Sequence, residues 1–166
     1  MHDSWTALRK ACSSLETHDH RIVAYHEAAH IIVGEHFGKR LVEVCLDVTP
    51  GRPGYCRMEW AAEIQPDQRR SRDLVICMAG PLMDQELVGK IDTEDTDFQQ
   101  VRAALAIVEV PPAQFPALLT RLLAEARSVL QQRMEELIEI ANLLIEHKRL
   151  SRDDLLAMSQ VPLFTH

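Results

Sequence analysis

The chain has 166 residues and a formal net charge of −7 at pH 7, a length that suits one domain with a real core. The acidic balance, with a pI near 5.6, argues against nucleic acid or an anionic membrane surface as the main partner. No stretch approaches the roughly 18 apolar residues of a membrane span, and residues 1–15 hold no apolar run resembling a signal peptide, so the expectation is a cytoplasmic protein without membrane insertion.

Taken in chain order, residues 4–16 form a short helix with Trp5, Leu8, Ala11, Cys12 and Leu15 on one side. Residues 1–18 are read as a cover segment over a core spanning 19–160. A second helix, over 19–37, is apolar on most sides through Ile22, Val23, Ala28, Ala29, Ile31, Ile32 and Val33, which marks it as buried. Gly38 is its natural stop. Residues 41–48 alternate, with Val42, Val44, Leu46 and Val48 facing one way, as in a half-buried strand. A Pro- and Gly-rich turn over 49–54 leads to a returning strand over 55–60. A third helix is expected over 66–88, kinked at Gly80-Pro81 and stopped by Gly89. An acidic run over 91–97 leads into a helix over 98–108. Beyond Pro111-Pro112, one long helix is expected over 117–147, with a stripe that includes Leu122, Ala126, Leu130, Leu137, Ala141 and Leu144. Ser151 and Asp154 form a capping box for a short closing helix. The pattern predicts a mainly α fold with a small β-sheet, of the α+β class. Four cysteines, Cys12, Cys45, Cys56 and Cys77, are far apart with no C-x-x-C pair. They read as reduced thiols, with a zinc-thiolate site as the lesser alternative.

The chemistry concentrates in Tyr25-His26-Glu27-Ala28-Ala29-His30. Residues four apart share a helix face, so His26 and His30 can aim two imidazoles at one point. Imidazole is a good zinc ligand, and a catalytic zinc keeps three protein ligands and one open position for water. Glu27 can serve that water as general base. Three completions of the site stand open on the residues alone. His36 sits at the last position of the pattern H-E-x-x-H-x-x-G-x-x-H, but Val33 replaces its glycine. In a continuous helix His36 would also lie about 15 Å along the axis from His26. Asp84 and Glu86, near the end of the next helix, could supply a carboxylate. Asp97, where the acidic run enters a helix, could be a ligand or only a cap for that helix N-terminus.

Beyond the motif itself, the sequence resembles the peptidase domain of the FtsH family of ATP-dependent zinc metalloproteases. Ala24-Tyr25-His26-Glu27-Ala28-Ala29-His30-Ile31 resembles that family's A-Y-H-E-A-G-H-A. Met78-Ala79-Gly80-Pro81-Leu82-Met83-Asp84-Gln85 is similar, more loosely, to L-A-G-R-x-A-E-E. The stretch from Asp95-Thr96-Asp97-Phe98 to Arg102 resembles its ligand block, S-N-D-hydrophobic-x-x-A-T. The run from Leu143 to Leu155 resembles its closing segment. The resemblance covers about residues 21–158, and its specificity lies in the order of the four blocks.

That resemblance implies an FtsH-peptidase-like fold, one Zn²⁺ per chain and Asp97 as third ligand beside His26 and His30, with Glu27 as catalytic base. The implied activity is zinc-dependent hydrolysis of peptides or unfolded proteins. Asp84 is expected to orient a ligating histidine. The chain has no Walker-type G-x-x-x-x-G-K-[ST] sequence, so ATP binding is not carried over, and a separate ATPase partner would have to deliver folded substrates. Residues 109–115 are much shorter than the matching family segment, which leaves ring assembly open and a homo-oligomer as an expectation only. The competing expectation is a catalytically silent binding or regulatory module on the same scaffold.

Overall fold

The computed structural model describes residues 4–15, 19–46 and 54–160. The fold is built around α2 (His20–His36), whose residues 22–25 and 27–34 are buried. Its start follows from Asp19, whose Oδ1 accepts the Arg21 backbone N–H at 2.9 Å and so satisfies one orphan donor of the first turn. Its end follows from Gly38, whose φ of +96° is a conformation open to glycine and costly for other residues. A helix apolar on nearly every side needs cover on every side. Here α2 packs against α4 (Ala79–Val88), α6 (Phe115–Gln132), α7 (Met134–His147) and the sheet.

The sheet is small and antiparallel, in the order β2-β1-β3. β1 (Lys39–Cys45) pairs with β2 (Tyr55–Trp60) and with β3 (Arg149–Ser151). The register shifts between Leu41 and Glu43, where Leu41 faces Met58 and Glu43 faces Arg57. Val42 is therefore the extra residue of a bulge, which reverses the face of every later residue in the strand. This corrects the simple alternation: Leu41 and Val44 are buried, and Val42 is only half-buried. The last two residues of the expected strand, and most of the turn over 49–54, lie outside the described residues. β3 was not expected at all.

The long helices are also shorter than their sequence patterns. The stretch over 66–88 is two helices, α3 (Pro66–Cys77) and α4, parted at Met78. Pro81 causes no kink, because it sits in the first turn of α4, where its missing N–H is not needed. The stretch over 115–147 is likewise α6 and α7, parted at Arg133 with φ −120° and ψ 30°. Arg133 donates from Nη1 to the Ile32 carbonyl at 3.1 Å, so the break lets one side chain tie α7 to the central helix. α8 (Arg152–Met158) closes the described chain with the expected capping box of Ser151 and Asp154. α1 (Ser4–Cys12) covers the core through Trp5, Leu8 and Cys12, whereas Ala11, expected on that side, is exposed. Among the described residues no helix is long and apolar enough to cross a membrane. The fold class is thus mainly α with a small antiparallel sheet.

Candidate metal centre

Three elements bring the site together: α2 supplies His26, Glu27 and His30, α4 supplies Asp84, and α5 (Thr96–Ile107) supplies Asp97. The sequence left two roles open for Asp97, ligand or cap. The cap is Asp95, whose Oδ1 accepts the Asp97 backbone N–H at 2.8 Å. Asp97, in the first turn, is free to turn its own carboxylate inward. Its Oδ2 lies 3.2 Å from His26 Nε2 and 3.0 Å from His30 Nε2. The two Nε2 atoms are 3.2 Å apart.

These three atoms form a nearly equilateral triangle. A tetrahedral zinc with ligands at about 2.0–2.1 Å would hold its ligand atoms about 3.3 Å from one another. The donor set and its spacing therefore fit a small divalent ion above the triangle, and His26, His30 and Asp97 are the group among the described residues that can hold one. No cysteine belongs to that group, which sets aside a zinc-thiolate site. All four thiols are unpaired. Burial holds Cys56 well above the usual thiol range and pushes Cys77 up to about 12, so both are poor thiolates.

Each histidine is fixed from behind. His26 Nδ1–H donates to Asp84 Oδ2 at 3.0 Å, and His30 Nδ1–H donates to the Ile76 carbonyl at 2.8 Å. With Nδ1 so engaged, each ring in its neutral form would present the Nε2 lone pair to the triangle. The break at Met78 has a use here. Ile76 stands in the last turn of α3, where helix carbonyls lack an intrahelical partner, and His30 takes that acceptor. The same break starts a new helix whose first turn carries Gly80. A β-carbon at Gly80 would come within 2.2 Å of His26 Nε2, so the imidazole lies against bare backbone. Gly80 was expected only to kink a helix, not to make room for a ligand. The cue to its role was a glycine inside an apolar helical run, which weakens a helix unless a close approach demands it.

Burial disfavours a charged His26, but the Asp84 and Asp97 carboxylates outweigh it and hold the group well above the usual histidine range. His30 is likewise opposed by burial and raised by Asp97. Burial raises Asp97, but His30 and His26 pull its carboxyl far below the usual carboxylate range. Glu27, 7% exposed, is pushed up by burial against the lowering pull of the two histidines. Its Oε1 lies beside Gly54, where a β-carbon would stand 3.0 Å away.

The other candidates fall away. His36 is exposed at the end of an unbroken α2, packed edge-on against Phe37 with ring centroids 4.9 Å apart. Glu86 points to the opposite side of α4 and pairs with Arg9 and Arg127. The triangle opens on a cleft of about 580 Å³ walled by β2, the end of α3 and the start of α5. No protein-family model matches the chain, and a search of curated proteins finds no match to it.

Proposed function

We propose that the chain is a cytoplasmic zinc-dependent endopeptidase, with one Zn²⁺ held by His26, His30 and Asp97, acting on peptides or unfolded proteins. The observation that carries this reading is the triangle of ligand atoms with the buried Glu27 carboxylate next to it on the same helix. The order of the four sequence blocks shared with the FtsH peptidase domain supports it further. Zinc suits two imidazoles and a carboxylate with one position left open, and when bound it would polarise a scissile carbonyl and acidify a water.

The chain's own residues supply the rest. Glu27 takes a proton from the attacking water as the new C–O bond forms. It returns that proton to the amine nitrogen as the C–N bond breaks. A carboxyl raised by burial is better matched to both transfers than an ordinary glutamate. Asp84 and the Ile76 carbonyl keep the two imidazoles in the tautomer that points Nε2 at the site. Substrate can lie along β2, whose outer edge has no strand partner among the described residues and so offers N–H and C=O groups to an extended peptide. No Walker-type G-x-x-x-x-G-K-[ST] sequence occurs in these residues. The chain alone is therefore expected to cleave peptides and unfolded proteins, and folded substrates would need a separate ATPase partner.

Elemental analysis of the purified chain beside Asp97→Ala tests the site. About one zinc per chain, lost in the variant, is expected. Casein cleavage abolished by EDTA, and slowed about 10²- to 10⁴-fold in Glu27→Gln with zinc retained, is the expected activity. Zinc bound without any turnover would favour the silent binding module instead.

A further inference from the structure

A second pocket, of about 540 Å³, lies between α3 and α5 beside the cleft. The two cavities share Lys39, Cys77 and Gln100, so they adjoin along those side chains. On the α3 side the walls are Cys77, Asp73, Arg70 and Arg69, spaced so that they share one helix face. On the α5 side they are Gln100, Val101 and Ala104, continuing the face that begins with Asp97. The outer pocket is therefore a groove that follows two helices outward from the metal triangle. From Cys77 to Arg70 it covers about 10 Å at 1.5 Å per residue, a length that an extended peptide spans with about three residues.

The charge reverses along the way. At the triangle the walls carry Glu27, Asp84, Asp92, Asp95 and Asp97 against the cations Lys39, shared with the outer pocket, and Arg57. In the outer pocket they carry Lys39, Arg69 and Arg70 against the single carboxylate of Asp73, a net of +2 in a chain of net −7. The three cations are not equally available. Lys39 Nζ is 2.6 Å from Asp73 Oδ1 and 5.0 Å from the centre of the Trp60 ring. Arg69 donates to the Ile64 carbonyl at 2.7 and 3.0 Å. Arg70 is exposed and makes no ion pair among the described residues. The floor between them, Leu74, Val101 and Ala104, is apolar and would hold a peptide's side chains rather than its charge.

We propose that this groove selects peptides carrying a carboxylate at least three residues from the bond held at the triangle, with Arg70 as its partner. The carboxylate can be an Asp or Glu side chain or the peptide's own C-terminus. The assignment of the bond rests on the proposed peptidase activity; the charge of the groove does not.

The test uses the full chain with Glu27→Gln, so that peptides bind without being cut. The probes are short fluorescent peptides of neutral sequence, with Glu or Gln placed at successive positions and with either a free or an amidated C-terminus. Anisotropy is expected to give about fivefold tighter binding for one Glu position or for the free carboxylate, the size of a half-exposed ion pair. That preference is expected to vanish at high salt and to reverse in Arg70→Glu, with circular dichroism confirming that the variant is folded. The Glu-against-free-carboxylate comparison says which source the groove reads. Equal binding of Glu and Gln peptides, a preference that survives Arg70→Glu, or no binding of any peptide would each overturn the proposal. Mass spectrometry of the same peptides after incubation with the unmutated chain reports on the peptidase reading separately. An intact preference without cleavage would sink that reading alone.

Discussion

Asp84 and Glu86 make an instructive pair. Both are carboxylates of α4, both are buried, at 7% and 8% exposure, and they are two residues apart. On a helix that separation turns them about 200° from each other, so they face different neighbours. Asp84 meets α2 and orients His26. Glu86 meets α1 and α6, where Arg9 and Arg127 grip its two oxygens. The Arg127 guanidinium in turn lies 5.4 Å over the Trp5 ring. The arginine side chains stay about 45% and 43% exposed while the glutamate side chain is 6% exposed. One face of α4 thus serves a site, and the other staples the first helix to the body. Equal burial does not imply equal purpose; the neighbour on each face decides it.

Substitutions can separate the two faces, and the largest effect is expected on the side of the site. Gly80→Ala places a methyl group where the His26 ring now lies. Because the near atoms belong to an imidazole wedged between two carboxylates, the ring cannot swing away without leaving the triangle. Zinc measured per chain is expected to fall below half, with far-ultraviolet circular dichroism unchanged; full zinc occupancy would show that His26 relaxes without cost. Asp84→Asn keeps the shape but removes the charge behind His26, and zinc affinity from competition with a chelator is expected to drop about 10- to 100-fold with the melting temperature of the metal-free chain little altered. Glu86→Gln should do the reverse. It loosens α1 by about 1–2 kcal/mol in urea unfolding, less than a fully buried pair would give because both arginines keep access to water, and zinc affinity stays as it was. A matching loss of zinc in Glu86→Gln would mean that the two faces are coupled through α4 after all.

The smallest expected effect lies at the start of α2. Asp19→Ala removes its N-cap, for about 1 kcal/mol. The Arg21 side chain and backbone beside Asp19 hold its carboxyl down at about 2. A carboxyl lowered on folding adds stability that is complete above its ordinary value near 4. That stability fades as pH falls toward 2. The gap between wild type and Asp19→Ala, measured by urea melts at descending pH, should therefore close over that interval.

Much of this arrangement was legible in the residues. The motif helix announced itself through Asp19, Gly38 and an apolar run between them, and the closing helix through Ser151 and Asp154. The two histidines came with their spacing. The break at Arg133 was not legible, because arginine is a good helix former and no glycine or proline marks that junction; near Met78 the Gly80-Pro81 pair signalled an interruption, but two residues late and as a kink rather than a new helix start. Tertiary contacts set them: Ile76 is needed by His30, and Arg133 by Ile32. β3 escaped for a related reason. Three residues have no period of their own, and they form a strand only because β1 offers an edge. Asp97 was ambiguous until Asp95 was seen to take the capping bond. No local signal separates a cap from a ligand two residues later.

The pairing of Glu43 with Ser151 sets an order of events. The three ligand atoms all come from the first part of the chain, and they are written before α6 has begun. Yet the back of α2 is covered by α7, and the second edge of β1 by a strand that comes after α7. During synthesis the site residues emerge early, and the helix and strand that cover α2 and β1 from behind emerge last. The groups that orient the two histidines, Asp84 and the Ile76 carbonyl, are likewise in place before α6 begins, so the C-terminal third adds the cover that buries α2 rather than the contacts that aim its imidazoles.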